Sequence, residues 1–500
     1  MATKSIIENG THGLIVEIEC SLSNNLPTII IVGFANKAVD ESRERIRSAF
    51  TASGIPLPKK KITVNLAPAE IPKHETIFDL GIAIAILETA GLIKPDDTSA
   101  YIGELGLKGD LRAARGIIGK LTVAKQKGIK TIYIPTKNSE QAQIFKGIII
   151  KPVDNLRQLI GHLTDVEPIA TLPYTRINHE QNNQFIDFDS IVGQSQAKRV
   201  LEIAAAGGHN VLLNGPPGTG KSMLAQALPG ILPPMSESEI LEVTNLHSLA
   251  NLDYDKLITE RPIRSPHHSS SDTAITGGGN NPRPGEISLA HRGILFMDEF
   301  PEFKRPAIEA LRQPLEDGKI RVARTKLSVE FPAKFILVAT ANPCPCGYFG
   351  THRDCTCSIA QLNRYKYKLS GPIIDRIDLF TNVENIEHKK LLDKSASGDS
   401  SQLIRGRVEA ALQLQTKRFN LHKLNSEMTN VEVKNLSMID TDARALLEKA
   451  AAKLELSPRS YMRTIKVART IADLDKNSSI NTQHIAEAIQ YRPNIANYHE

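Results

Sequence analysis

Eight consecutive residues, Gly215, Pro216, Pro217, Gly218, Thr219, Gly220, Lys221 and Ser222, have the types and spacing of a phosphate-gripping loop. Gly215, Gly218 and Gly220 let the backbone curl so that its N–H groups point inward at a phosphate. The apolar Val211-Leu212-Leu213 before the loop reads as a strand. Met223 to Leu228 after it reads as the start of a helix, whose positive end falls on the same spot. Lys221 is placed to reach the β- and γ-phosphates, and the Ser222 hydroxyl to sit on Mg²⁺. The expected ligand is a nucleoside triphosphate.

Cleaving a triphosphate also takes a carboxylate for the metal and a means of aiming water. Gly293 to Met297 is an apolar strand ending in Asp298-Glu299. Asp298 is expected to hold Mg²⁺ through water, and Glu299 to polarise the attacking water. A second apolar strand, Phe335 to Asn342, ends in an amide suited to orienting that water, although an asparagine there also caps a turn. Cys344 and Cys346, then Cys355 and Cys357, form two C-x-C pairs eight residues apart. Four thiolates close a tetrahedral structural zinc site; the alternative is free buried thiols, since the usual ribbon spacing is C-x₂-C. The histidines His267, His268 and His352 make weaker ligands. Lys319, Arg321, Arg324 and Lys326 put four cations and no acid into eight residues of a β-hairpin. Such a hairpin is either a phosphate-backbone contact or an ordinary edge kept from aggregating by its charge.

These residues need elements to position them. Five hundred residues imply about three domains at ~150 each. A content of 41% hydrophobic and 23% charged residues fits a soluble globular chain. The absence of Trp and only 5% aromatics argue against an aromatic platform for stacking bases. A net charge of +6 permits a polyanionic partner without demanding one. The first residues lack a signal-length apolar core, and no apolar run approaches the ~20 residues of a membrane helix. The chain is therefore expected in the cytoplasm, away from membranes. There, four cysteines within fourteen residues point to metal rather than disulfides.

Residues 1–165 mix short β-like runs with helices at Asp40–Phe50, Phe78–Ala90 and Gly119–Gly128, an α/β domain with its own core. Residues 166–188, rich in Pro, Asn and Gln, read as a linker. From 189 to 385 strand and helix alternate around the loop as a parallel sheet requires, and 386–500 is nearly all helical.

This order of parts resembles an AAA+ ATPase. Arg261-Pro-Ile-Arg264, Pro266-His-His268, Gly277-Gly-Gly279 and Pro284-Gly-Glu-Ile-Ser-Leu-Ala-His291 narrow the resemblance to the magnesium-chelatase-like YifB/ComM family, over essentially the whole length. The resemblance implies a homohexameric ring with ATP between subunits. In the motif Gly371 to Arg376, it implies that Arg376 serves as an arginine finger in the neighbour's site. Arg459, after Ser457-Pro458, is the candidate lid arginine contacting the γ-phosphate from the same subunit, with Arg463 as the fallback. The first domain resembles the Lon-protease fold (S5 domain 2-like) through Pro72 to Asp79 and Gly128 to Pro135. Thr76-Ile77-Phe78-Asp79 stands where a protease carries its serine, so no dyad forms with Lys120 and no peptidase is expected. Related rings turn a hairpin like 319–331 toward the pore, which implies a DNA partner and remodelling of recombination intermediates. A metal-chelatase motor handing energy to a protein partner is the alternative.

Overall fold

The computed structural model describes residues 2–9, 12–33, 41–69, 76–177, 185–250, 256–279, 282–324, 327–351, 353–368, 373–386 and 398–492. The first unit is built on a seven-stranded sheet, with a small two-stranded sheet of Glu104–Leu105 and Leu111–Arg112 beside it. Its strands are β1 (Thr3–Asn9), β2 (His12–Ser23), β3 (Thr28–Val32), β4 (Lys61–Ala67), β5 (Ser99–Tyr101), β6 (Thr131–Pro135) and β7 (Ile149–Val153), in the order β3-β4-β2-β1-β5-β6-β7. Alternation decides which face is covered: Ile62, Val64 and Leu66 point into the core while their neighbours on β4 are half-open. The helices are α1 (Ser42–Ala52), α2 (Asp79–Thr89), α3 (Ile117–Gln126) and α4 (Leu156–Leu163). α2 is buried from Asp79 through Leu87, as its unbroken apolar sequence requires.

The stretch expected as a linker is partly built into this unit. Ile169 is buried in the first core, Leu172 N–H donates to Ile150 O, and Thr175 N–H to Gln143 O. Its prolines suit an extended chain lying along a sheet edge. Residues 178–184 of that stretch lie outside the described residues.

The second unit contains α5 (Ser195–Gly207), β8 (Val211–Asn214), α6 (Lys221–Ala227), α7 (Glu237–Ala250), β9 (Ile263–Arg264), β10 (Ile294–Met297), the hairpin β11 (Lys319–Arg324) and β12 (Leu327–Pro332), β13 (Ile336–Ala341) and β14 (Leu379–Asn382). Five of these strands form a sheet in the order β9-β10-β13-β8-β14, every neighbouring pair parallel. β10 and β13 are buried on both faces, which explains their continuous apolar sequence. The strands are parallel, so the residues following β8, β10 and β13 emerge at one edge. That edge carries Gly215, Asp298 and Asn342.

The last unit is helical: α8 (Ser401–Phe419), α9 (Thr441–Lys453), α10 (Pro458–Leu474) and α11 (Thr482–Gln490). Side-chain oxygens of Ser400 and Ser457 cap α8 and α10, and Pro458 occupies the first turn of α10. These helices share one core with α5 and β8. Arg469, wholly buried, is balanced by Asp473 at 3.0 Å.

Candidate functional site

The loop between β8 and α6, with the ends of β10 and β13, encloses a cleft of about 400 Å³ lined by Pro217 to Met223, Asp298, Glu299, Thr340 and Asn342. Gly215 has no room for a side chain: a Cβ there would lie 2.3 Å from Val383 O. Lys221, 8% exposed, folds back so that Nζ donates to Gly215 O (2.6 Å), Pro216 O (2.9 Å) and Asn342 Oδ1 (3.2 Å). Burial pushes the Lys221 pKa down, with Asp298 and Glu299 opposing.

Ser222 Oγ donates to Asp298 Oδ2 at 3.2 Å. A hydroxyl and a carboxylate this close supply the oxygen donors that Mg²⁺ prefers, so the residues fit that ion. Thr340, not anticipated from the sequence, ties the site together. Its Oγ1 donates to Asp298 Oδ1 at 2.5 Å and accepts from Glu299 N–H at 2.9 Å. The register Met297↔Ala339 places Thr340 beside Asp298. A lone hydroxyl in an otherwise apolar strand was the signal available. Glu299 adopts φ +52, a left-handed conformation that a non-glycine residue holds at a cost of ~1–3 kcal/mol. His268 Nδ1 lies 4.0 Å from Glu299 Oε2, which puts one of the paired histidines at the cleft.

Arg376 lies elsewhere. Its carbonyl accepts from Asn210 Nδ2 at 3.4 Å, and Asn210 precedes β8. Val211 pairs with Leu379 and Asn214 with Asn382, in parallel, so Arg376 sits at the edge of the sheet opposite the loop. The two are separated by the length of β8, roughly 10 Å of strand. There Arg376 Nη2 is 2.8 Å from Glu316 Oε1.

The expectation that Arg459 contacts phosphate within the same subunit does not fit this geometry. Arg459 also pairs with Glu316, on the far side of the sheet from Lys221. The fallback, Arg463, lies at that edge too, 2.5 Å from Asp378 Oδ1. The lid docks on the side of α5 and β14, which carries both arginines away from the cleft. Gly371 and Pro372 of the Arg376 motif lie outside the described residues.

The four cysteines do converge: Cys344, Cys346, Cys355 and Cys357 place all their Sγ atoms within 4.8 Å of one another. A tetrathiolate of this size fits zinc. His352 is outside the described residues, and His267 bonds instead to Ser269 Oγ at 2.7 Å.

In the hairpin, Lys319 and Arg321 are exposed, but Glu330 on the facing strand takes both, at 2.7 and 3.4 Å. Glu330 lies on β12, opposite Arg321 and outside the cationic run 319–326. Lys326 and the side chain of Arg324 fall outside the described residues.

Three family descriptions match: "Magnesium chelatase, subunit ChlI" over residues 187–391, "Subunit ChlI of Mg-chelatase" over 18–138, and "Magnesium chelatase, subunit ChlI C-terminal" over 398–492. The chain is 42% identical to the "Uncharacterized protein YifB" of Salmonella typhimurium, covering 97% of this chain and 95% of that one. It is 40% identical to the "Competence protein ComM" of Haemophilus influenzae, with the same coverage of each. The chain belongs to the magnesium-chelatase-like YifB/ComM family. It also resembles the "Magnesium-chelatase subunit ChlI" of Porphyra purpurea at 22% identity over 62% of this chain and 88% of the other. The family is one of AAA+-type ATPases, and the parallel sheet with its helical lid agrees with that class. Its signature residues do structural work here: Arg264 clasps Glu286 with two contacts of 2.6 Å. No helix among the described residues is long and apolar enough to cross a membrane.

Proposed function

We propose that this YifB/ComM-family chain is a Mg²⁺-dependent ATPase working in the cytoplasm as a homohexameric ring on DNA. Its work is branch migration or helicase-like remodelling of recombination intermediates. The observation that carries the ATPase reading is the convergence of Lys221, Ser222, Asp298, Glu299 and Asn342 on one cleft. Lys221 exchanges its carbonyl partners for β- and γ-phosphate oxygens. Ser222 and Asp298 would hold Mg²⁺, which would supply charge neutralisation for phosphoryl transfer. Glu299 draws the proton from water that Asn342 orients.

Arg376 is too far from its own loop to serve it, which supports the reading that it reaches a neighbour's γ-phosphate after leaving Glu316. Arg459, bound to the same carboxylate, moves with it. The hairpin contacts the DNA backbone through Lys319, Arg321, Arg324 and Lys326, and the family relationship to a competence protein supports that partner. Cys344, Cys346, Cys355 and Cys357 form a structural zinc site outside the bond-breaking chemistry. The first unit, of Lon-like fold, scaffolds the ring without peptidase activity. Lys120 is spent internally, donating to Arg115 O at 2.7 Å.

The second reading, a chelatase motor acting on a protein partner, is favoured by the three chelatase-subunit matches. ATP turnover with and without forked or four-way DNA separates the two. Stimulation by branched DNA, and its capture by a Glu299→Gln variant holding ATP, is the expected result. Turnover indifferent to DNA, with no DNA bound in the trapped state, would remove the DNA reading.

A further inference from the structure

We infer that the metal held by the four cysteines sets the shape of the phosphate-binding loop, so that nucleotide affinity depends on the metal. This rests on reading the cluster as a zinc site. The sulfurs are spaced for one ion: Cys344 to Cys346, Cys346 to Cys355 and Cys344 to Cys355 are 3.3, 3.5 and 3.7 Å apart. Four sulfurs at ~2.3 Å from a tetrahedral zinc stand about 3.8 Å from one another. Sulfide-bridged iron clusters need wider spacing than this. Two backbone amides already serve the sulfurs, Cys346 N–H to Cys357 Sγ and Phe349 N–H to Cys344 Sγ. Such bonds orient and stabilise thiolate ligands.

The segment has no core of its own. Of the described residues in 343–358, only Cys344 and Gly347 are buried. A metal crosslink is therefore what holds it in one conformation.

That conformation touches the nucleotide cleft at two points. Gly347, at φ +86 in the turn after the first cysteine pair, packs against the phosphate loop: a Cβ there would lie 2.7 Å from Pro217 Cδ. Gly347 N–H also donates to Cys344 O, which locks the turn. The second point is Asn342, two residues before Cys344, which accepts from Lys221 Nζ. The cysteine segment thus abuts one wall of the cleft through Pro217 and carries another through Asn342. Releasing the metal loosens both at once, although no sulfur reaches the cleft itself.

The test uses the full chain carrying Cys20→Ser, so that every remaining thiol belongs to the cluster. Metal analysis should find about one zinc per chain, and affinity for a fluorescent ADP should fall about tenfold on chelation and return with added zinc. A Gly347→Ala variant should keep its zinc yet lose affinity to a similar extent, through the contact with Pro217. A chain purified without zinc, or with iron in its place, overturns the zinc reading and this inference with it. Zinc present in stoichiometric amount, with ADP affinity unchanged by its removal and by Gly347→Ala, leaves the zinc reading intact and overturns the coupling.

Discussion

Lys221 is buried, its ammonium bonded to the Gly215 and Pro216 carbonyls. Its pKa is depressed by burial in the free protein, and the charge of a bound triphosphate raises it. A group whose pKa rises on binding takes up protons. Mg-ATP binding should therefore draw protons from solution increasingly as the pH climbs toward the alkaline range, a trend absent in Lys221→Met. Calorimetry in buffers of different ionisation enthalpy checks this. Glu299 sits at the neighbouring strand end with its backbone held by Thr340. Glu299→Gln should cut phosphate release by about 10²–10⁴-fold while leaving nucleotide binding nearly intact. Equal loss of binding and turnover would instead make Glu299 a structural residue.

At the scale of elements, the edge opposite the cleft is a charge cluster that ties the lid to the sheet. Asp378 is 3% exposed. Burial pushes its carboxyl up, but Arg463 and His209 outweigh that and hold it below the usual carboxylate range. A depressed carboxylate contributes stability above its unfolded value, near pH 4. The contribution is lost as the pH falls from there through the folded value. Arg463→Ala should cost about 3–5 kcal/mol in thermal or urea unfolding at pH 7, because it strands a buried charge. Arg459→Ala, at a side chain 49% exposed, should cost no more than about 1 kcal/mol. Equal costs would mean that the cluster is not what holds the lid. The difference also separates the two arginines functionally: Arg463 is an anchor, whereas Arg459 is free to exchange Glu316 for another anion.

At the scale of the molecule, the first unit docks on the second through helix ends. Gly116 N–H donates to Ser248 Oγ at 2.7 Å and Gly119 N–H to Asn245 Oδ1 at 3.0 Å, so α7 caps the start of α3. Ile144 of the first unit also packs with Met235, Ile240 and Val243 of the second, and a joint part polar and part apolar fits a scaffold that stays with the motor. If sites are shared between subunits, Arg376→Ala and Lys221→Ala should each be inactive, and mixing them should restore part of the turnover. Mixtures as inactive as either parent would rule out a finger in trans. DNA binding by the hairpin should weaken steeply with salt. Charge reversal of Lys319 and Arg321 should flatten that dependence by less than two phosphate contacts, since Glu330 already shares them. Binding insensitive to both changes would place the DNA contact elsewhere.

The phosphate loop, the Asp298-Glu299 strand end and Asn342 were legible in the chain because each is a contiguous run whose chemistry and backbone geometry are local. The cysteine pairs were legible as a spacing. The sheet order, the register that brings Thr340 to Asp298, the partner Glu330 and the contact of Gly347 with Pro217 join residues distant in sequence. No periodicity encodes them. The side on which the lid docks was equally hidden, because it depends on which apolar faces of α8 and α10 find α5. That docking alone decides that Arg459 lies at the far edge of the sheet rather than over its own subunit's nucleotide cleft.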